Sequence, residues 1–120
     1  MDVLRFEIPY PPSVNHYYIR ANGRVILGAE GASYRRTAGL LLYKQRGAFS
    51  KNKRLAVTIN VFPPDKRKRD IDNILKCTLD SLQYAQVYVD DNQIDMLTVI
   101  RREAGAGYLA IWITECSSNE

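Results

Sequence analysis

Lys66–Tyr84 reads KRKRDIDNILKCTLDSLQY, and the parsing of this stretch decides the architecture around it. At 100° per residue, Ile71, Ile74, Leu75, Thr78, Leu79 and Leu82 fall on one continuous arc. Asp72, Asn73, Lys76, Asp80 and Gln83 fall on the opposite arc. The spacing predicts an amphipathic helix over 71–84 with a polar face that begins at the Asp70-Ile71-Asp72 run. Four consecutive cations, Lys66, Arg67, Lys68 and Arg69, lie directly ahead of it. Carboxylates therefore stand where a basic run is built to attract anions.

On either side of this segment the hydrophobic period changes to two. Leu55, Val57, Ile59 and Val61 alternate in a strand over 55–62 that Pro63-Pro64 ends. Beyond the helix, 94–102 and 108–114 read as strands joined across Gly105 and Gly107, which predicts a hairpin. Near the start, Leu4, Phe6 and Ile8 alternate with Arg5 and Glu7 until Pro9, Pro11 and Pro12 stop the strand. Asn22-Gly23, centred in 17–27, is a strong hairpin signal because both turn positions tolerate positive φ. A first helix is expected over 30–49, with Tyr34, Ala38, Leu41 and Leu42 as its apolar stripe and Gly39 as its weak point.

Composition bounds the class. A chain of 120 residues reads as one domain, 1–120, burying roughly two-thirds of its unfolded surface. Hydrophobic content of 46% and charged content of 25% are those of an ordinary globular protein, which argues against disorder. Seventeen Lys and Arg against thirteen Asp and Glu leave a net charge of +4, matched in size by 66–69 alone, and favour an anionic partner. No basic leader precedes an apolar core, and apolar runs such as 108–113 fall far short of the about 20 residues that span a bilayer. No membrane association is expected. Two lone cysteines, Cys77 and Cys116, suit a reduced compartment, so a cytoplasmic location is expected.

The acids of 70–72 have a purely structural reading. Asp70 is placed to cap the helix, and Asp72 lies in the first turn, where it complements the helix dipole by about 0.3–1 kcal/mol. Asp72 with Lys76 is an acid-before-base i, i+4 pair worth about 0.2–0.5 kcal/mol, and Lys76 with Asp80 is the reverse order. Asp90 and Asp91, in Val87–Gln93, bring a second acidic group. The helix is about 21 Å long at 1.5 Å per residue. The steps from Gln83 to Asp91 extend roughly 26 Å, so Asp91 can return to the helix start, while Asp90 reads as an ordinary solvated turn. Three converging carboxylates repel one another unless they share a cation. An oxygen-only set selects Mg²⁺ or Mn²⁺ over zinc. His16 is the sole histidine, which leaves a zinc site or a histidine triad without support. An ion of this kind beside Lys and Arg activates water against a phosphodiester while the cations hold the backbone.

Pro11–Tyr18 (PPSVNHYY), Arg69–Lys76 (RDIDNILK), Asp80-Ser81-Leu82 and Asp90–Gln93 (DDNQ) occur in that order. With them the chain resembles the RusA family of Holliday junction resolvases of bacteria, phages and prophages, over nearly its whole length. The resemblance implies an α+β fold: a small mixed sheet of about four main strands plus a β-hairpin, with two helices packed on it. It implies a homodimer that cuts two opposing strands of a four-way DNA junction in recombination and repair, using Mg²⁺ with Mn²⁺ as a substitute. Asp70, Asp72 and Asp91 would be catalytic metal ligands and Lys76 the catalytic cation. Asn15, Asn73, Lys66, Arg67, Lys68 and Arg69 would meet DNA. A two-fold dimer also matches the symmetry of paired nicks. Gln86 stands where the family commonly has glycine, which bears on the path of the loop that carries Asp91. A general or flap-type nuclease, a sugar transferase using its D-x-D and a non-catalytic DNA-binding module are the alternatives.

Overall fold

A computed structural model describes residues 3–116 of the chain. Its scaffold is a four-stranded mixed sheet in the order β1-β6-β4-β5, with β1 at Leu4–Pro9, β4 at Leu55–Phe62, β5 at Ile94–Arg101 and β6 at Tyr108–Glu115. A separate two-stranded hairpin pairs β2 (Tyr18–Ala21) with β3 (Arg24–Leu27) across Asn22-Gly23, whose φ values are both positive. The helices among the described residues are α1 (Val14–Tyr17), α2 (Ala29–Leu41) and α3 (Leu75–Tyr84).

Strand β4 is central because alternate residues Leu55, Val57, Ile59 and Val61 are buried. They join Leu109, Ile111 and Ile113 of β6 in one core with Tyr34, Leu42, Ile74 and Leu82 from the helical segments. β5 runs parallel to β4, and β6 runs antiparallel to it on the other side. The expected hairpin of 94–102 with 108–114 is therefore not formed. The glycine-bearing loop instead arches over the end of β4: Arg102 N donates to Val61 O (2.8 Å) and Gly105 N to Pro63 O (2.8 Å). Gly107 has φ 74°, and a Cβ there would sit 3.2 Å from that of Pro64, so the loop crosses close over the proline pair.

Both long helices are shorter than their hydrophobic patterns. α2 ends at Leu41 and gives way to a 3₁₀ turn at Tyr43–Gln45. Hydrogen bonds from Gly47 N to Gln86 O and Phe49 N to Val87 O draw the following chain to the end of α3. Tyr34, Ala38 and Leu42 are buried, whereas Leu41 is exposed because the buried stripe follows i, i+4, i+8. Ile71–Ile74 is a 3₁₀ turn, and the α-helix starts only at Leu75. The buried face of α3 is Cys77, Thr78, Ser81 and Leu82, rotated from the Leu75 and Leu79 line, while Ile71 is 39% exposed. Small Ser81 meets Tyr17, whose hydroxyl lies 2.8 Å from Ser81 Oγ.

At its C-terminus, α3 closes in a Schellman motif. Val87 N donates to Leu82 O (3.1 Å) and Gln86 N to Gln83 O (2.9 Å), with Gln86 at φ 63°. The loop keeps the left-handed geometry without a glycine, at a cost of about 1 kcal/mol.

Candidate functional site

The basic run leaves β4 at Pro63-Pro64, and the carboxylate that neutralises it is Asp65. Arg69 Nη1 lies 2.8 Å from Asp65 Oδ1, and Arg67 N donates to the same oxygen at 2.9 Å. The Arg69 bond and the Arg67 amide hold the Asp65 carboxyl well below the usual range. Arg69 also lies over the Tyr10 ring, and its carbonyl accepts from Arg101 Nη2 (2.8 Å). The Arg101 guanidinium thus fixes the loop to the end of β5, while Lys66, Arg67 and Lys68 remain exposed.

Asp70 and Asp72 are both exposed, and neither carboxylate has a hydrogen bond or ion pair among the described residues. Asp70 occupies the cap position, but its backbone carbonyl, not its side chain, receives Asn73 N (3.1 Å). The expected Asp72–Lys76 and Lys76–Asp80 pairs do not form either. Lys76 Nζ lies over the Tyr18 ring, 5.2 Å from its centroid. Asp80 instead accepts from Arg35 Nη2 (2.5 Å), Arg35 Nε (3.1 Å) and Tyr17 Oη (2.7 Å). Burial opposes ionisation of Asp80, but the hydrogen bonds of Tyr17 and Arg35 and the arginine charge outweigh it and lower its pKa. Burial pushes the Tyr17 hydroxyl up to about 12. Burial likewise raises Tyr18 above the ordinary tyrosine range.

This cluster seats the PPSVN segment on α3. α2 approaches it so closely that a Cβ on Gly31 would stand 2.3 Å from Tyr17 O. A cleft results between the β2–β3 hairpin and α3, lined by Asn15, Tyr18, Arg20, Arg35 and Lys76 among others. Arg35 carried no distinguishing signal in sequence, and Tyr18 entered only as the last residue of the PPSVNHYY run. Arg35 looked like one more surface cation at a helix start, and its partner Asp80 lies forty-five positions away. His16 is exposed and lies 3.0 Å from Ser13 Oγ, outside any catalytic cluster.

The downstream acids divide their roles. Asp90 is not a plain solvated turn: its Oδ1 accepts from Asn92 N (2.9 Å), and Gln93 Oε1 accepts from Val89 N and Asp90 N, a reciprocal capping box. Buried Gln93 anchors the turn through Nε2 to Ser50 O and Lys53 O. Asp91 is exposed, and its backbone N donates to Gln83 Oε1 (2.8 Å) at the last turn of α3. Asp70 and Asp72 precede the first turn. The loop from Gln83 does not return to the helix start, because the Schellman turn sends it across to Ser50 and Lys53. Among the described residues no three His, Cys, Asp or Glu side chains converge as a metal-binding group. The described residues of the chain do not assemble the three-carboxylate ligand set that the resemblance implies.

Residues 9–114 match the family model described as endodeoxyribonuclease RusA. A crossover junction endodeoxyribonuclease rusA of Enterobacteria phage HK97 is 37% identical over 119 residues, spanning 98% of this chain and 99% of its own. Proteins of the same name from Enterobacteria phage 82 and Escherichia coli K12 are 31% identical over 116 residues, spanning 96% of this chain and 97% of theirs.

Proposed function

The chain belongs to the RusA endodeoxyribonuclease family, and on that premise we propose that it is a cytoplasmic, homodimeric endonuclease that resolves four-way DNA junctions by paired symmetric nicks. The observation that supports this reading most directly is the pair of exposed, unpartnered carboxylates, Asp70 and Asp72, between a lysine held off every acid and a basic loop. Carboxylates that serve a fold are drawn into caps and ion pairs, as Asp65, Asp80 and Asp90 are here. These two are engaged in neither.

Each group then has a chemical task. Lys66, Arg67 and Lys68 attract the polyanion and release counterions. Arg69 holds their loop against β5 through Asp65 and Arg101. Lys76, which has no ion pair among the described residues and sits on Tyr18, directs an ammonium at the scissile phosphate, where it stabilises the extra negative charge of the transition state. Asn15, which lines the cleft beside Lys76, and Asn73, in the turn ahead of α3, hydrogen-bond phosphate oxygens. Asp70, Asp72 and Asp91 are the carboxylates of the reaction, with Mg²⁺ as cofactor and Mn²⁺ as its substitute. Such an ion supplies a lowered water pKa and Lewis acidity toward phosphoryl oxygen.

Cleavage of a synthetic four-way junction, set beside linear and flap substrates with and without Mg²⁺, tests the reading. Metal-dependent paired nicks in opposing strands are expected. Equal cutting of all three substrates marks a general nuclease, and binding without cutting in either metal marks a DNA-binding module.

A further inference from the structure

An ammonium on a four-carbon stem samples many positions unless something holds it. Lys76 has two carboxylates within helical reach of it in the sequence, Asp72 at i−4 and Asp80 at i+4, yet among the described residues it forms no ion pair. Asp80 is already engaged: its Oδ2 accepts two bonds from Arg35 and one from Tyr17. What holds the ammonium is a ring face, with Lys76 Nζ 5.2 Å from the centroid of Tyr18.

Tyr18 is itself held from several sides. Its backbone N donates to Val14 O at the end of α1, and it pairs with Leu27 across the β2–β3 hairpin. Its ring centroid lies 4.7 Å from that of Tyr17 at a tilt of 54°, and Tyr17 is fully buried. The Tyr18 ring is thus a half-buried plate on a fixed backbone, in the cleft that Asn15, Arg20 and Lys76 also line. Burial, with the Asp80 charge behind it, raises its hydroxyl above the ordinary tyrosine range, so the ring beside Lys76 is a neutral phenol and not an anion.

The kind of contact matters to the chemistry. A carboxylate seat would offset the charge of the ammonium and occupy its N–H groups, leaving less of both for a phosphate. The quadrupole of a ring attracts the cation through its face and leaves that charge intact. Such a seat places the ammonium beforehand and yields it as negative charge develops on the phosphate.

We propose that Tyr18 is a positioning residue for Lys76, its ring face keeping the ammonium placed and unpaired in the cleft between the hairpin and α3. This rests on the nuclease reading above and adds to it what holds the cation that the reading sets at the phosphate.

Two experiments test it. The first measures single-turnover cleavage of a synthetic four-way junction in Mg²⁺ at saturating protein, with junction Kd measured separately without metal. Tyr18→Leu should cut about tenfold more slowly with Kd within about twofold of wild type, and Tyr18→Phe, which keeps the ring, should restore the rate to within about threefold. Tyr18→Ile, suited to a strand, replaces Tyr18→Leu if melting curves show that the latter folds poorly. An unchanged rate in the ringless variant, or a loss that lies wholly in Kd, overturns the proposal. The second needs no activity: ¹H–¹³C spectra of protein labelled at lysine, with the Lys76 Hε signal identified by its loss in Lys76→Arg. That signal should lie upfield of the other lysines through the ring current, stay there in Tyr18→Phe and return to the common position in the ringless variant. A Lys76 signal at the common position in wild-type protein overturns the proposal. Wild-type protein that cuts no junction in Mg²⁺ or Mn²⁺ removes the nuclease reading and this proposal with it, and the spectra then distinguish that failure from a missing Lys76–Tyr18 contact.

Discussion

Asp80→Asn removes the charge that joins α3, α2 and the PPSVN segment while keeping the volume of the side chain. The carboxylate accepts two bonds from Arg35 and one from Tyr17, and the Arg35 and Asp80 side chains are 23% and 27% exposed. An amide oxygen retains an acceptor but loses the ion pair: the Arg35 bonds keep only the donor's charge, and the Tyr17 bond falls from the about 1.5–3 kcal/mol of a charged acceptor to a neutral one near 1 kcal/mol. It also strands a guanidinium that remains in contact with water, which keeps the loss below the about 3–5 kcal/mol of a fully buried pair. About 2 kcal/mol at pH 7 follows, a fall of roughly 1 M in urea midpoint for a slope near 2 kcal/mol/M. The folded pKa of Asp80 is lowered. Its contribution is therefore complete above the unfolded value of about 3.9 and is lost as pH falls through the folded value below it. Urea titrations of both proteins at pH 7 and pH 3 are the assay, and the gap between them should narrow on acidification. A gap of equal size at the two pH values, or none at pH 7, refutes the role assigned to the Asp80 charge.

Asp70→Asn and Asp72→Asn should abolish junction cleavage yet leave stability within about 0.5 kcal/mol of wild type, because neither side chain has a partner to lose; melting curves beside a cleavage assay check both halves. Joint replacement of Lys66, Arg67 and Lys68 by Gln should weaken binding to every DNA form and lower the salt slope by about 0.9 for each phosphate no longer neutralised, read from binding at several salt concentrations. Gln86→Gly should raise stability by about 0.5–1 kcal/mol, or about 2–4 °C in Tm by calorimetry, since the left-handed strain at φ 63° outweighs the exposed Arg46 bond to its side chain.

The parts of the fold that rest on local chemistry were legible in the sequence. Asn22-Gly23 makes its hairpin, the alternation of Leu55 to Val61 makes the central strand, and Pro9 and Pro63 end theirs. What failed depended on partners distant in the chain. Gly105 and Gly107 carry the dihedral freedom of a tight turn, but whether the chain doubles back or passes over another strand depends on β4. Cys77 and Ser81 join Thr78 and Leu82 on the buried face, with Leu75 and Leu79 only partly buried beside them, and Ser81 meets Tyr17 from far earlier in the chain. For the site, the sequence nominated candidate residues but did not place them. Asp70, Asp72 and Lys76 announce themselves by spacing, while the reach of Asp91 was bounded only by loop length. Its actual direction is fixed by Gln93 bonding to Ser50 and Lys53, partners that no local pattern encodes.

The position of β6 between β1 and β4 shapes how the molecule can be born. Leu4 pairs with Ile113, and Val57 pairs with that same residue from the other side. Both older strands therefore wait with an open flank until the last strand leaves the ribosome. At about 5–20 residues per second, β1 waits on the order of 5–20 s. During that interval the nascent chain offers unsatisfied strand edges to any neighbour, and a block late in translation would release a product with no closed sheet at all.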